Sequence, residues 1–155
     1  MPHRRQEITD AIKAALTGAT DVAIPIDVNR MTPVMADDLP RIVIRTPKEV
    51  ARIFAEAPRV LERRLLAVIE VLAQGDDSGE MLDEIAQKAE AAMNASSLLS
   101  GRDSDHVLFE SEMEIDATGD SPVGSLKLKY EIRYMTEESP EQLTSDLGGI
   151  NVRVV

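Results

Sequence analysis

The chain has 155 residues, 17 basic and 28 acidic, for a formal net charge of −11, with two tyrosines, two phenylalanines, no tryptophan and no cysteine. That length suits one domain of ~100–150 residues, large enough to build a core without covalent staples. The missing cysteine excludes disulfide scaffolds, thiolate zinc sites and thiol nucleophiles, and the acidic balance argues against a surface made for polyanions such as nucleic acid or anionic lipid.

A soluble, intracellular protein is the expectation. Met1 to Arg5 is basic, but no continuous apolar run follows it as a signal peptide requires. The longest mostly apolar stretch, Leu65 to Ala73, is interrupted by Glu70 and falls short of the ~20 residues that span a bilayer.

In chain order, Ile8, Ile12, Ala15 and Leu16 recur at helical spacing, with Glu7, Asp10 and Lys13 off the stripe and Gly18 placed to cap the end. Val22 to Met31, broken by Pro25, suits an interrupted extended segment or an edge strand. A loop over Thr32–Pro40 leads to a strand, Arg41–Arg45, ended by Thr46-Pro47. Residues 46 to 74 carry conflicting signals. Thr46-Pro47-Lys48-Glu49 has the form of a helix start, whereas Pro58 would break a helix and Val60–Leu72 also reads as a strand with Leu61, Leu65, Ala67, Ile69 and Val71 on one face. A helix follows, with Asp77 and Glu80 spaced as a capping box and Met81, Leu82, Ile85, Ala89, Ala92 and Met93 as its stripe.

Alternation is clearest over 106–135, where two strands flank the turn composition Thr118-Gly119-Asp120-Ser121-Pro122. Placing Val107, Phe109, Met113 and Ile115 on the apolar face predicts Met113 opposite Leu128, Ile115 opposite Leu126, Phe109 opposite Ile132 and Val107 opposite Tyr134. The same register sets Glu114 against Lys127 and Glu112 against Lys129, with Glu110 against Glu131 as its one bad pair. Beyond Met135 an acidic linker leads to the β-like end Ile150–Val155, a candidate for strand addition.

No nucleophile-elbow, phosphate-loop, dinucleotide, zincin or EF-hand motif occurs, so no catalytic, cofactor-binding or metal residue is assigned. His106 has no histidine or cysteine clustered with it in sequence and reads as a surface or half-buried neutral histidine. Glu110, Glu112, Glu114 and Asp116 form an acidic row; a strand spreads carboxylates along a line, whereas Ca²⁺ needs ~6–8 converging oxygens, so the simpler reading is a solvated face neutralised by Lys127 and Lys129. Arg52, Arg59, Arg63 and Arg64 form a basic cluster interleaved with Glu49, Glu56 and Glu62, either a mixed solvated face or a set of interface anchors.

The helix opening His3-Arg4-Arg5-Gln6-Glu7-Ile8, the run Asp38-Leu39-Pro40-Arg41-Ile42-Val43-Ile44, Leu66-Ala67-Val68-Ile69-Glu70-Val71 before an acidic helix start, and Gly124-Ser125-Leu126-Lys127-Leu128-Lys129-Tyr130-Glu131-Ile132-Arg133-Tyr134 occur in an order that resembles the tail terminator family of long-tailed phages, also called minor tail protein U. The resemblance spans about residues 3 to 136. It implies an α/β (α+β) fold with a mixed, mostly antiparallel sheet and two main helices packed on one face. Residues 1–136 would then form one domain and 137–155 an acidic C-terminal arm. It further implies a strand over Val60–Ala73 and a loop or hairpin excursion over 46–58.

The function implied is structural and not enzymatic: a hexameric ring, made of copies of the chain, that caps the tail tube of a phage or prophage and ends its polymerisation. Implied partners are the tail tube protein and a head-completion or connector protein; DNA would meet the ring only by passing through its lumen, and no membrane or cofactor is involved. The implied location is the virion tail, and the host cytoplasm during assembly. A neck or head–tail joining protein is the near alternative, and a small acidic ligand- or metal-binding protein the distant one.

Charge adds a polarity. Residues 1–74 carry 11 basic and 10 acidic groups, whereas 75–155 carry 6 and 18. In a head-to-tail ring, Arg52, Arg59, Arg63 and Arg64 would meet a neighbour's acidic surface, including Glu110, Glu112 and Glu114.

Overall fold

The computed structural model describes residues 4–19, 24–96, 104–117 and 121–138. Helix α1 (Arg4–Ala19) leads to β1 (Ile26–Val28), a single 3-10 turn at Ala36–Asp38, β2 (Arg41–Glu56), β3 (Arg59–Gln74), α2 (Ser78–Ala95), β4 (Ser104–Asp116) and β5 (Val123–Glu138). The sheet order is β1-β2-β3-β5-β4; β1 runs parallel to β2 and every other pair is antiparallel. This is the mixed, mostly antiparallel α+β architecture expected, with both helices on one face.

Period-two burial builds that face. On β3, Leu65, Ala67, Ile69, Val71 and Ala73 are buried, and they stand opposite Ile132, Tyr130, Leu128, Leu126 and Gly124 of β5. Against them pack Ile8, Ile12 and Leu16 from α1 and Leu82, Ile85, Ala89 and Met93 from α2. Each large apolar side chain removed from water stabilises the fold by ~1.5–3 kcal/mol. Gly124 lets α2 sit close to the sheet, since a Cβ there would fall 2.6 Å from Leu82 Cδ1 and 3.3 Å from Ser78 Oγ.

Several local expectations are corrected. Gly18 does not end α1, which continues to Ala19. The strand that begins at Arg41 does not stop at Thr46-Pro47; it runs to Glu56, and the helix-start signature at 46–49 is overruled. Pro47 falls where the β2–β3 ladder is irregular, between Arg45 and Lys48, so its missing N–H breaks no regular rung. At α2 the N-cap Asp77 makes no side-chain capping bond, and Met81 lies exposed while Ala86 takes its place in the stripe.

The β4–β5 register is displaced by two residues from the expected one. Met113 stands opposite Leu126, Glu112 opposite Lys127 and Glu110 opposite Lys129. A shift of two keeps every side chain on its face and exchanges one set of Glu–Lys pairs for another, so pattern matching alone cannot choose between them. An irregularity between Leu108 and Glu110 then changes the alternation, bringing Leu108 against the core and leaving Val107 and Phe109 exposed. It also places Glu131 opposite Val107 in place of Glu110. β5 extends through Glu138, two residues past the expected boundary at 136. His3, the turn residues 118–120 and the expected β-like end at 150–155 lie outside the described residues.

Candidate functional site

The β2–β3 hairpin continues past the helices. From Val50 to Arg59 every residue is exposed, and β5 accompanies β3 as far as Glu138 opposite Arg59, so the far end of the sheet is a three-stranded blade open to solvent. Its most exposed apolar side chains are Val50, Ile53 and Phe54, at 51 to 63%. A large apolar residue exposed singly is ordinary, whereas here three fall within five residues on one projecting hairpin.

A polar network fixes the root of the blade. The Arg5 guanidinium donates to the Thr46 carbonyl and, at 3.3 Å, to Thr46 Oγ1, tying α1 to β2. The Thr46 N–H donates to Asn29 Oδ1 at 3.0 Å, and Asn29 takes the left-handed conformation (φ 49°) that asparagine tolerates better than most residues. One residue pair further out, Glu49 accepts from the Tyr134 hydroxyl and from Arg63 Nη1 at 3.3 Å, while Arg63 Nε donates to Thr136 Oγ1 at 2.8 Å. Burial raises the Tyr134 hydroxyl well above the ordinary tyrosine range, and its hydrogen bond to Glu49 adds to the shift. Beside this network Arg5, Thr9, Lys13, Asn29 and Glu49 help to line an open groove of about 670 Å³.

The residues expected to form an interface divide among three places. Arg52 and Arg64 lie on the face away from the helices, both bound to Glu62, at 3.1 and 3.0 Å, and Arg64 also reaches Glu131 at 3.6 Å. Hydrogen bonds from Arg52 and then Arg64 hold the Glu62 carboxyl below its usual range. Arg63, one residue on, points to the opposite face and belongs to the Glu49 network. Arg59 is exposed near the blade tip, opposite Glu56 and Glu138, with no ion pair to a described residue.

Glu110 and Glu112 share Lys129 at 3.3 and 3.5 Å, which raises the Lys129 ammonium, chiefly through the bond to Glu110. Glu114 lies exposed opposite Ser125. Of the two expected pairs, Glu112–Lys129 is present with Glu110 added to it, and Glu114–Lys127 is not formed. Among the described residues no group of three or more histidine or carboxylate side chains is placed to hold a metal ion. The reading from sequence included Glu49 only as a neighbour of the basic cluster and missed Val50, Ile53, Phe54, Tyr134 and Asn29; the three apolar residues follow no period-two spacing, and the ladder is irregular between Ile53 and Ala55.

A second charged cluster holds the loop before β2. Asp27 lies between Arg30 and Arg41, each at 2.8 Å, and Arg30 also binds Asp38 at 3.2 Å. The Arg30 hydrogen bond, followed by that of Arg41, keeps Asp27 below the usual carboxylate range, and the Met35 N–H does the same for Asp38. Carboxyls lowered in the folded state bind protons more weakly than in the unfolded chain. Their stabilisation is complete above the unfolded values of ~4 and is lost as pH falls further. Urea titrations from pH 7 down to 2.5 should show stability flat to about pH 5 and then falling; an unchanged midpoint at pH 3 contradicts the shifts.

No helix among the described residues is long and apolar enough to cross a membrane. No protein-family model matches the chain, and neither does any curated protein.

Proposed function

We propose that the protein acts by assembly and without catalysis, as a subunit of a tail-terminator-like ring that caps a phage or prophage tail tube and offers a surface for head attachment. The observation that carries this reading is the solvent-exposed blade: a buried polar network holds its root, and its outer half presents Val50, Ile53 and Phe54 to solvent. A rigid apolar projection costs a free monomer solubility and serves one whose partner covers it. The resemblance of residues 3 to 136 to the tail terminator family supplies the kind of partner, and the helix-backed sheet agrees with the fold that family implies.

Light scattering and negative-stain electron microscopy test the proposal, on the protein alone and mixed with tail tube protein. Rings, or tubes that stop growing once the protein is added, are expected. A monomer at high concentration that also leaves tube growth unchanged overturns it.

A further inference from the structure

Glu56 of β2, Arg59 of β3 and Glu138 of β5 stand side by side at the blade tip. β2 and β5 run towards that tip, whereas β3 and β4 run away from it. β1 covers β2 only over Ile42–Ile44, and Asn29 Oδ1 takes the Thr46 N–H. Over 47–56 the outer edge of β2 therefore has no strand beside it among the described residues. The free N–H and C=O groups of such an edge template the addition of another strand, and native proteins cover it. The same stretch exposes Val50, Ile53 and Phe54, which adds to the need for cover.

Residues 139–155 follow Glu138 in the chain and lie outside the described residues. At the tip, three strand spacings, about 14 Å in all, separate β5 from the outer side of β2. The eleven residues 139–149 reach up to ~36–40 Å when extended, enough to cross the tip and continue along the edge. Pro140 cannot donate to a ladder and Gly148-Gly149 suits a turn, so the sequence breaks just after β5 and again just before Ile150. The next six residues, Ile150-Asn151-Val152-Arg153-Val154-Val155, carry β-branched apolar side chains at alternate positions and no carboxylate. Direction then selects the edge. A segment returning from the tip runs antiparallel to β2 and parallel to β4, and antiparallel pairing is the more stable per residue. β4 flanks β5 as far as Tyr134, which leaves only 135–138 on that side of β5, too short a stretch for six residues.

We infer that residues 150–155 add to the outer edge of β2 at 47–56 of the same copy, as a further antiparallel strand that straps the blade of a separate subunit. A tether of eleven residues holds the segment at an effective concentration on the order of millimolar, far above that of a second copy in dilute solution. The strap covers an edge that a separate subunit otherwise exposes, whatever the blade meets in assembly, so the inference stands apart from the assembly reading.

Hydrogen exchange of the full chain, dilute and at high salt so that copies are separate, tests it. Val152→Pro with Arg153→Pro in one chain removes two successive donors, one of which faces β2 in either register. The outward amides of 48–56 should exchange at least ~tenfold more slowly in the wild type than in this variant, while those of β3 over 65–73 exchange equally in both. The chain lacks cysteine, so Ala55→Cys with Val152→Cys introduces a unique pair of thiols. A short bismaleimide, whose reach tolerates a shift in register, should close that pair within one molecule at least ~tenfold more than it closes Ser111→Cys with Val152→Cys. Ala55 and Ser111 are both exposed. Equal exchange over 48–56 in wild type and variant overturns the inference, since the edge is then bare or covered by something else. Protection or cross-linking that rises with protein concentration gives the edge to a second copy and overturns it too, as does preferred closure onto Ser111. If the prolines also disturb 65–73, the cross-link decides.

Discussion

Ile69→Ala should lower the stability of the fold by ~2–5 kcal/mol, whereas Phe54→Ser should leave it within ~0.5 kcal/mol and abolish assembly. Ile69 lies fully buried on the central strand β3, flanked by Ile44 on β2 and Leu128 on β5. All three are held under α1 and α2, so the surroundings can relax little into the space left by the truncation. For a domain of this size each kcal/mol is worth ~2–4 °C, which puts the loss in melting temperature at roughly 4–20 °C. Phe54 has no such neighbours: it is 63% exposed at the far end of the blade.

The comparison needs conditions in which subunits are separate, since association adds its own stabilisation to any melting curve. Dilute, high-salt melts therefore measure the fold, and light scattering at low salt measures assembly. If Phe54→Ser assembled normally, the exposed blade would lose its role as a contact surface. If it melted as low as Ile69→Ala, the blade would be part of the cooperative core.

The parts of this fold that could be read from sequence are those in which side-chain period and burial coincide. β3 and β5 alternate cleanly because one face is covered by helices, and the α2 stripe is visible because its opposite face is charged. Residues 46–58 were ambiguous for a physical reason: threonine, proline and glutamate at that spacing satisfy a helix N-terminus locally, and the groups that overrule it are distant. Arg5 and Asn29 claim the backbone of Thr46, which holds the chain in the extended conformation that β3 then pairs. The hairpin register failed on a degeneracy, since moving by two residues preserves both the apolar face and the Glu–Lys pairs, and only the irregularity at Phe109 separates the alternatives. The candidate site was legible in part. Strand periodicity alone sends Arg63 and Arg64 to opposite faces, but Glu49 and Tyr134, 85 residues apart, carry no local mark of their contact.

That contact sets the second large effect. Glu49→Ala should cost ~1.5–3 kcal/mol, and the loss should be concentrated in the blade. The Glu49 side chain is only 13% exposed and serves two donors, the Tyr134 hydroxyl and Arg63 Nη1. Removing it orphans the hydroxyl of a buried tyrosine and leaves the guanidinium, itself 21% exposed, with Thr136 as its remaining partner in this network. Beyond that point the blade has no helix over it, so the ladder hydrogen bonds of 50–63 depend on the root to hold them in line with the core. Hydrogen exchange should accelerate across 48–63 and 134–138 while the amides of α2 and of β3 beyond Leu65 keep their protection. Glu49→Gln retains an acceptor for Tyr134 but not the charge that binds Arg63, and its effect should fall between the wild type and Glu49→Ala. Uniform acceleration through the core would mean that Glu49 supports the whole fold and not the blade. No acceleration at all would mean that the blade is held by its strand pairing alone, and assembly through it would then be insensitive to the root.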